Sequence, residues 1–279
     1  MKKAFLFFLI LFLVGCQIQR LPEVVEQNLI KDIKPSNNLN AEDKSMKILT
    51  LYDNYTVNSD LKTDWGFAAL ISVEDYNLLF DTGTDGKILL SNMEKLGVEP
   101  KDINKVMISH DHYDHFGGLT DFLAANNQVK IYILSNFSQT KSIIQKAGVK
   151  MVEIDNPTTI IEKISTTGSL GNSIPEQSLI LDTEKGLVVI TGCAHPGIVN
   201  IVTSVKNQLP DKKIYLVMGG FHLFQSSETE IRSIIEDFKN LGVQKVAPCH
   251  CTGDKAINLF KEAYQENFIE NGVGKLIEL

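Results

Sequence analysis

Cysteine is scarce in this 279-residue chain, with four residues at positions 16, 193, 249 and 251. Without Cys16, which falls in a leader, an odd and unevenly spaced three remain, and these exclude a disulfide framework as the source of stability. Cys249 and Cys251 have no second pair at finger spacing, which excludes a zinc finger. No lysine- or arginine-rich run occurs, and 34 acidic residues against 27 basic ones set a net charge of −7. Such a surface repels phosphate backbones, so no nucleic-acid partner is expected. There is no Gly-x-Ser-x-Gly, which removes the serine-hydrolase elbow. Gly83-Thr-Asp-Gly86-Lys87 has the residues of a phosphate loop but is too short for one. No internal repeat or low-complexity segment is present.

What is present begins with Lys2 and Lys3, followed by an unbroken apolar run over 4–14. That run is short for a bilayer span and reads as a secretory leader. It ends in Leu13-Val14-Gly15-Cys16, which resembles the lipobox of bacterial lipoproteins. The resemblance implies a signal peptide over 1–15 and a diacylglyceryl group on Cys16. The chain would then be exported and held at the bacterial cell envelope, touching membrane only through its lipid. Loss of Lys2 and Lys3 leaves 25 basic against 34 acidic residues, a net −9. Residues 16–45, with Pro22, Pro35 and Ser36-Asn37-Asn38, read as a tether.

From Met46 the texture changes, and 46–279 reads as one folded domain. Short apolar runs predict strands at 47–51, 67–73, 77–80, 105–108, 130–134, 178–181, 186–190, 213–218 and 244–247. Helical spacing is found over 86–96, 138–147, 198–209, 229–241 and 253–264. The early strands follow one another closely and the later ones alternate with helices, which predicts an α/β fold of mixed sheets with helices outside. The only tryptophan, Trp65, stands ahead of a strand and reads as a core or edge aromatic rather than a pocket wall.

Histidine is informative because it is rare. Three of the six stand in His110-Asp-His112-Tyr-Asp114-His115. On an extended segment 110 and 112 face one way, and a turn through Asp114 and His115 presents them nearby. Imidazole with carboxylate suits zinc, and also iron or manganese in a dinuclear site. The other three follow apolar strands: 186–190 runs into His195, 213–218 into His222, and 244–247 into His250. The run at 77–80 ends in Asp81 in the same way. Strands that deliver polar residues from their carboxyl ends can gather them at one rim, and all six histidines are expected at one site.

His110-x-His112-x-Asp114-His115 followed by Phe116-Gly117-Gly118 resembles the metallo-β-lactamase superfamily, and Asp81 in Phe80-Asp-Thr-Gly83 matches that family's first motif. Thr191-Gly-Cys-Ala-His-Pro-Gly197, Gly219-Gly-Phe-His-Leu223 and Cys249-His-Cys-Thr-Gly253 resemble a subgroup containing dihydropterin-forming ribofuranosylaminobenzene phosphate synthases and metal-dependent hydrolases. The resemblance implies an αββα four-layer sandwich with two zinc ions at one edge. His110, His112 and His195 would hold one, and Asp114, His115 and His250 the other. Asp81 would support a ligand histidine from behind. The superfamily's bridging aspartate has no counterpart here. His222 is the favoured substitute and Cys193 the alternative, a thiolate near metal.

This implies a hydrolase acting on a small-molecule ester, lactone, amide or phosphodiester through metal-bound hydroxide. Asp114 would orient the nucleophile, and His222, if not a ligand, would donate a proton to the leaving group. A non-hydrolytic dihydropterin-synthase-like enzyme, or a metal-binding sensory lipoprotein, is the competing reading.

Overall fold

The computed structural model describes residues 46–279; the leader, Cys16 and tether expected over 1–45 lie outside the described residues. The first sheet opens with three antiparallel strands, β1 (Lys47–Tyr52), β2 (Ala68–Val73) and β3 (Tyr76–Phe80). Helix α1 (Gly86–Lys95) then leads to β4 (Lys105–Met107), parallel to β3. The short α2 (Tyr113–Phe116) and α3 (Leu119–Ala125) precede β5 (Lys130–Ile133), and α4 (Gln139–Ala147) precedes β6 (Lys150–Glu153), both strands continuing in parallel.

The second sheet begins as an antiparallel meander of β7 (Thr158–Ile161), β8 (Ile164–Thr166), β9 (Leu179–Thr183) and β10 (Gly186–Thr191). Helix α5 (Ile198–Gln208), β11 (Ile214–Gly220), α6 (Glu228–Asn240), β12 (Lys245–Cys249) and α7 (Asp254–Tyr264) extend it in parallel. Finally β13 (Leu276–Glu278) returns to the first sheet and pairs antiparallel with β1. The strand orders are β13-β1-β2-β3-β4-β5-β6 and β12-β11-β10-β9-β8-β7.

Side-chain alternation explains the layering. In β10, Val188 and Ile190 join Ile71, Leu78, Phe80 and Met107 in a core shared by the two sheets. Leu187 and Val189 point the other way, into a second core with Ile201 and Val205 of α5, Ile235 and Phe238 of α6, and Phe260 of α7. A strand buried on both faces needs apolar residues at every position, so these strands read as continuous runs rather than alternating ones. On the far side α1 packs on β1. The result is the expected αββα sandwich.

The sequence under-read some elements. β6, β7, β8 and β13 are three or four residues long, and β6 is nowhere fully buried. Such strands carry too little apolar pattern to be seen locally. With β6 in place, helices alternate with strands in the first half of the domain as well as the second.

Leu216, in the middle of β11, is fully buried between the sheets. Leu216→Ala is expected to cost about 2–5 kcal/mol of stability. Urea unfolding of the metal-free protein measures this, and a loss well under 1 kcal/mol would contradict the placement.

Candidate metal centre

Strand carboxyl ends build this site. β3 runs into Asp81, β4 into Ser109 and His110, β10 into Cys193 and His195, β11 into His222, and β12 into His250. Just beyond four of these ends the backbone turns left-handed at a non-glycine residue: Asp81 (φ 62°), Ala194 (φ 61°), His222 (φ 54°) and His250 (φ 48°). That region is sparsely populated by L-residues, and its concentration here marks strain held by the surrounding structure. Glycine is required where chains nearly touch. A Cβ on Gly192 would collide with Ser109 Oγ, and one on Gly220 would come 2.6 Å from Cys251 Sγ.

All six imidazoles lie in one connected cluster. The rings of His110, His112 and His195 form a triangle with centroids 4.7, 4.7 and 4.8 Å apart. His110 Nε2 is 3.1 Å from His112 Nδ1. Beside them, His115 Nε2 and His250 Nε2 lie 3.6 and 3.3 Å from Asp114 Oδ2. Within each of two groups, Asp114-His115-Cys193-His250 and His110-Cys193-His195, the potential ligand atoms all lie within 4.8 Å of one another. Cys193 belongs to both. A third group joins Cys193 to His222 and Cys251.

Of the residues expected to hold metal, two stand outside the two main groups: His112, whose ring joins the triangle with His110 and His195, and His222, favoured for the place of the missing aspartate, which joins Cys193 in the third group. β11 ends in Gly219-Gly220, whose backbone presses on Thr191 and Gly192, and His222 emerges two residues later on the exposed side. Its ring lies 4.4 Å from that of His195.

The surrounding hydrogen bonds decide where the imidazole protons sit. Asp81 Oδ1 accepts from the Ser109 N–H, and Oδ2 accepts from Ser109 Oγ and His115 Nδ1, each at 2.7 Å. The Ser109 hydroxyl has one proton, and Asp81 takes it. Ser109 Oγ therefore accepts from His110 Nδ1 at 2.9 Å, leaving His110 Nε2 as a lone pair. Asn54 Oδ1 accepts from His250 Nδ1 at 3.0 Å, and the Asn54 amide donates to the His250 carbonyl. His195 Nε2 and His250 Nε2 are buried and make no hydrogen bond. Buried polar atoms are rarely left so, and lone pairs converging beside a carboxylate and a thiol are the donor set of a zinc-type ion. The residues present fit a metal.

Electrostatics divide the imidazoles, holding two of them neutral and favouring the charged form of a third. Burial, then the neighbouring imidazoles, holds His110 well below its ordinary pKa. Burial, then His222 and His112, lowers His195 to about 4. For His115 burial is outweighed by Asp81, and the value rises to about 9. Burial alone would raise Asp114, but contact with His250 and the charge of His115 hold it below the usual carboxylate range. Burial raises both neighbouring thiols; Cys193 stays well above its ordinary value in the metal-free chain, whereas contact with Cys193 and His222 brings Cys251 well down.

Several supporting residues escaped the sequence. Asp53 and Asn54 follow β1 in the same strand-then-polar pattern, and so were visible in principle. Asp53 Oδ1 accepts from the N–H groups of Tyr55 and His250. Glu176 carries no local sign. Its Oε1 accepts from Thr191 Oγ1 and the N–H groups of Gly192, Cys193 and Ala194, and its Oε2 from the His195 N–H, all at 2.9–3.1 Å. Trp65 is also corrected: it is 45% exposed, its ring lies 4.8 Å from that of His250, and it meets Phe224 edge-on. It lies outside any strand, exposed beside His250.

Glu176→Gln replaces an acceptor with a donor facing backbone N–H groups. It is expected to weaken metal affinity roughly 10–100-fold, as loss of a ligand-orienting group does elsewhere. Competition against a chromophoric chelator reads this, and unchanged affinity would count against the orienting role. Asp53 is a second test. Its Oδ2 is buried without a hydrogen bond, and burial pushes the carboxyl from 3.8 up to about 6. Because the folded value is the higher, the protonated form stabilises the fold at acid pH, and that contribution is lost as pH rises through about 6. In metal-free protein Asp53→Asn should gain on wild type between pH 4 and 7, by up to about 3 kcal/mol. Parallel pH–stability curves would refute this.

Residues 66–206 match the profile of the metallo-β-lactamase superfamily. A 7,8-dihydropterin-6-methyl-4-(β-D-ribofuranosyl)-aminobenzene-5'-phosphate synthase of Methanocaldococcus jannaschii is 32% identical, over 84% of this chain and 97% of its own. A solved structure described as a metal-dependent hydrolase of the β-lactamase superfamily is also 32% identical, covering 84% of this chain and 99% of its own, with a TM-score of 0.70. A metallo-β-lactamase-fold protein from Bacillus subtilis shares the fold at 16% identity and TM-score 0.63, over 85% of this chain and all of its own. The histidine cluster at one rim of an αββα sandwich therefore has a family, and this chain belongs to the metallo-β-lactamase superfamily.

Proposed function

We propose that this protein is a hydrolase of an ester, lactone, amide or phosphodiester, working with two divalent metal ions, zinc in the first place and iron or manganese otherwise. His110, His112 and His195 would hold one ion, and Asp114, His115 and His250 the other. One observation carries the reading: imidazole Nε2 atoms from both sheets, those of His115 and His250, converge on Asp114, whose side chain is 20% exposed. Bound ions of this kind bring the pKa of water to ~7 and polarise a carbonyl or phosphoryl oxygen.

The chain's own groups supply the rest. Asp114 reaches both His115 and His250 while keeping a solvent-facing share, so it can orient an attacking water as a hydrogen-bond acceptor. Asp81 and Asn54 keep His115 and His250 in the tautomer that presents Nε2. His222 stands on the exposed side, its pKa raised first by the hydrogen bond with Cys251. It is the proton donor to the leaving group. Exposed Trp65 and Phe224 offer an apolar wall for the unreactive part of a small-molecule substrate.

A second reading, a synthase on the same site, is favoured by the likeness to the dihydropterin enzyme across nearly that enzyme's whole length. The aromatic wall would suit a flat ring. Residues 2–16 support export and anchoring through lipid on Cys16, and that location weighs toward hydrolysis of a substrate outside the cytoplasm.

Zinc-loaded protein should turn over members of ester, lactone, amide and phosphodiester panels, lose the activity to a chelator, and regain it with zinc. His222→Ala should lower kcat roughly 10²–10⁴-fold for poor leaving groups and much less for activated ones. Metal-replete protein inert across all four panels would reject hydrolysis in favour of the synthase.

A further inference from the structure

We propose that the Cys193 thiolate bridges the two ions of this centre, in the place where the superfamily carries an aspartate. The inference rests on the two-metal reading above and adds to it the identity of the shared ligand.

Three observations support it. Cys193 is the only residue common to both main donor groups among the described residues. Its Sγ lies 3.2 Å from His115 Nε2, on a ring that Asp81 holds in place through Nδ1. The backbone that aims it is held firmly: Glu176 accepts hydrogen bonds from the N–H of Cys193 and of both its neighbours. A cysteine 3% exposed on so constrained a turn cannot swing away to another role.

Charge leads to the same residue. Five neutral imidazoles and Asp114 offer two divalent ions a single negative charge. Asp81 and Glu176 are also buried, but their oxygens are occupied by Ser109, His115 and the backbone of residues 192–195. Buried ions require compensation. A thiol that coordinates a metal is deprotonated outright, which supplies a second negative charge between the ions. Cys251, with Sγ 3.2 Å from Cys193 Sγ, is the rival thiolate, but it shares a group only with Cys193 and His222. A thiolate bridge would also bias the centre toward zinc, cobalt or ferrous iron and away from manganese or magnesium.

The test is cobalt(II) substitution of the full chain, followed by the near-ultraviolet thiolate-to-cobalt charge-transfer band. A bridge makes the band grow through both the first and the second equivalent. Cys251→Ser should keep it, and Cys193→Ser should lose it. Cys193→Asp, which restores a bridging carboxylate, should bind two equivalents with no band. Zinc X-ray absorption on unmutated protein is independent of whether variants fold, and should show sulfur about 2.3 Å from the ions. Two equivalents bound without a band or sulfur scattering would sink the bridge and leave the two-metal reading standing. A band complete at one equivalent, or one lost in Cys251→Ser and kept in Cys193→Asp, also overturns it. Failure to bind cobalt or zinc stoichiometrically overturns both.

Discussion

The Asp81 carboxylate ties together the side chains that three elements present at this edge. It follows β3, takes the Ser109 N–H and hydroxyl from the end of β4, and takes Nδ1 of His115 from α2. Buried without partners, such a group would cost several kcal/mol, so the arrangement holds only if all three donors are supplied. Supplying them decides the protonation of two imidazoles at once. His115 is fixed directly and His110 through the spent proton of Ser109. One carboxylate thereby orients two imidazoles, so that Nε2 of each faces the site.

Glu176 plays the corresponding part on the second sheet, with backbone rather than side chains as its donors. Gathering consecutive N–H groups from Gly192 to His195 forces a tight turn, which accounts for the left-handed Ala194 between Cys193 and His195. The same logic places Asn54 behind His250. Four left-handed residues and the unpartnered His195 Nε2 are costs that the two hydrophobic cores must offset. An ion that binds only the folded state shifts that balance back.

Much of the fold was legible because its central strands are buried on both faces. The runs at 186–190 and 213–218 announced themselves by apolar continuity, and the polar residue after each marked the rim. The short strands of residues 150–166 and the closing β13 were not legible. Their own residues carry little pattern, and β13 is held by β1 at the other end of the domain. Trp65 was misplaced for the opposite reason. A lone aromatic near a strand resembles core, and nothing local shows that it lies exposed beside His250.

By itself the sequence determined the fold class, the six histidines, Asp81 and Asp114, because residue type and strand-end position are local properties. Tertiary structure alone decided which of those donors meet. It moved His222 to the exposed side and set Cys193 between the two groups, because the glycines ending β11 let that strand press on β10. It also recruited Glu176, whose partners lie 15 to 19 residues away and are brought to it only when β10 enters the sheet. A ligand's chemistry is written in its side chain, but its partners are written in the packing.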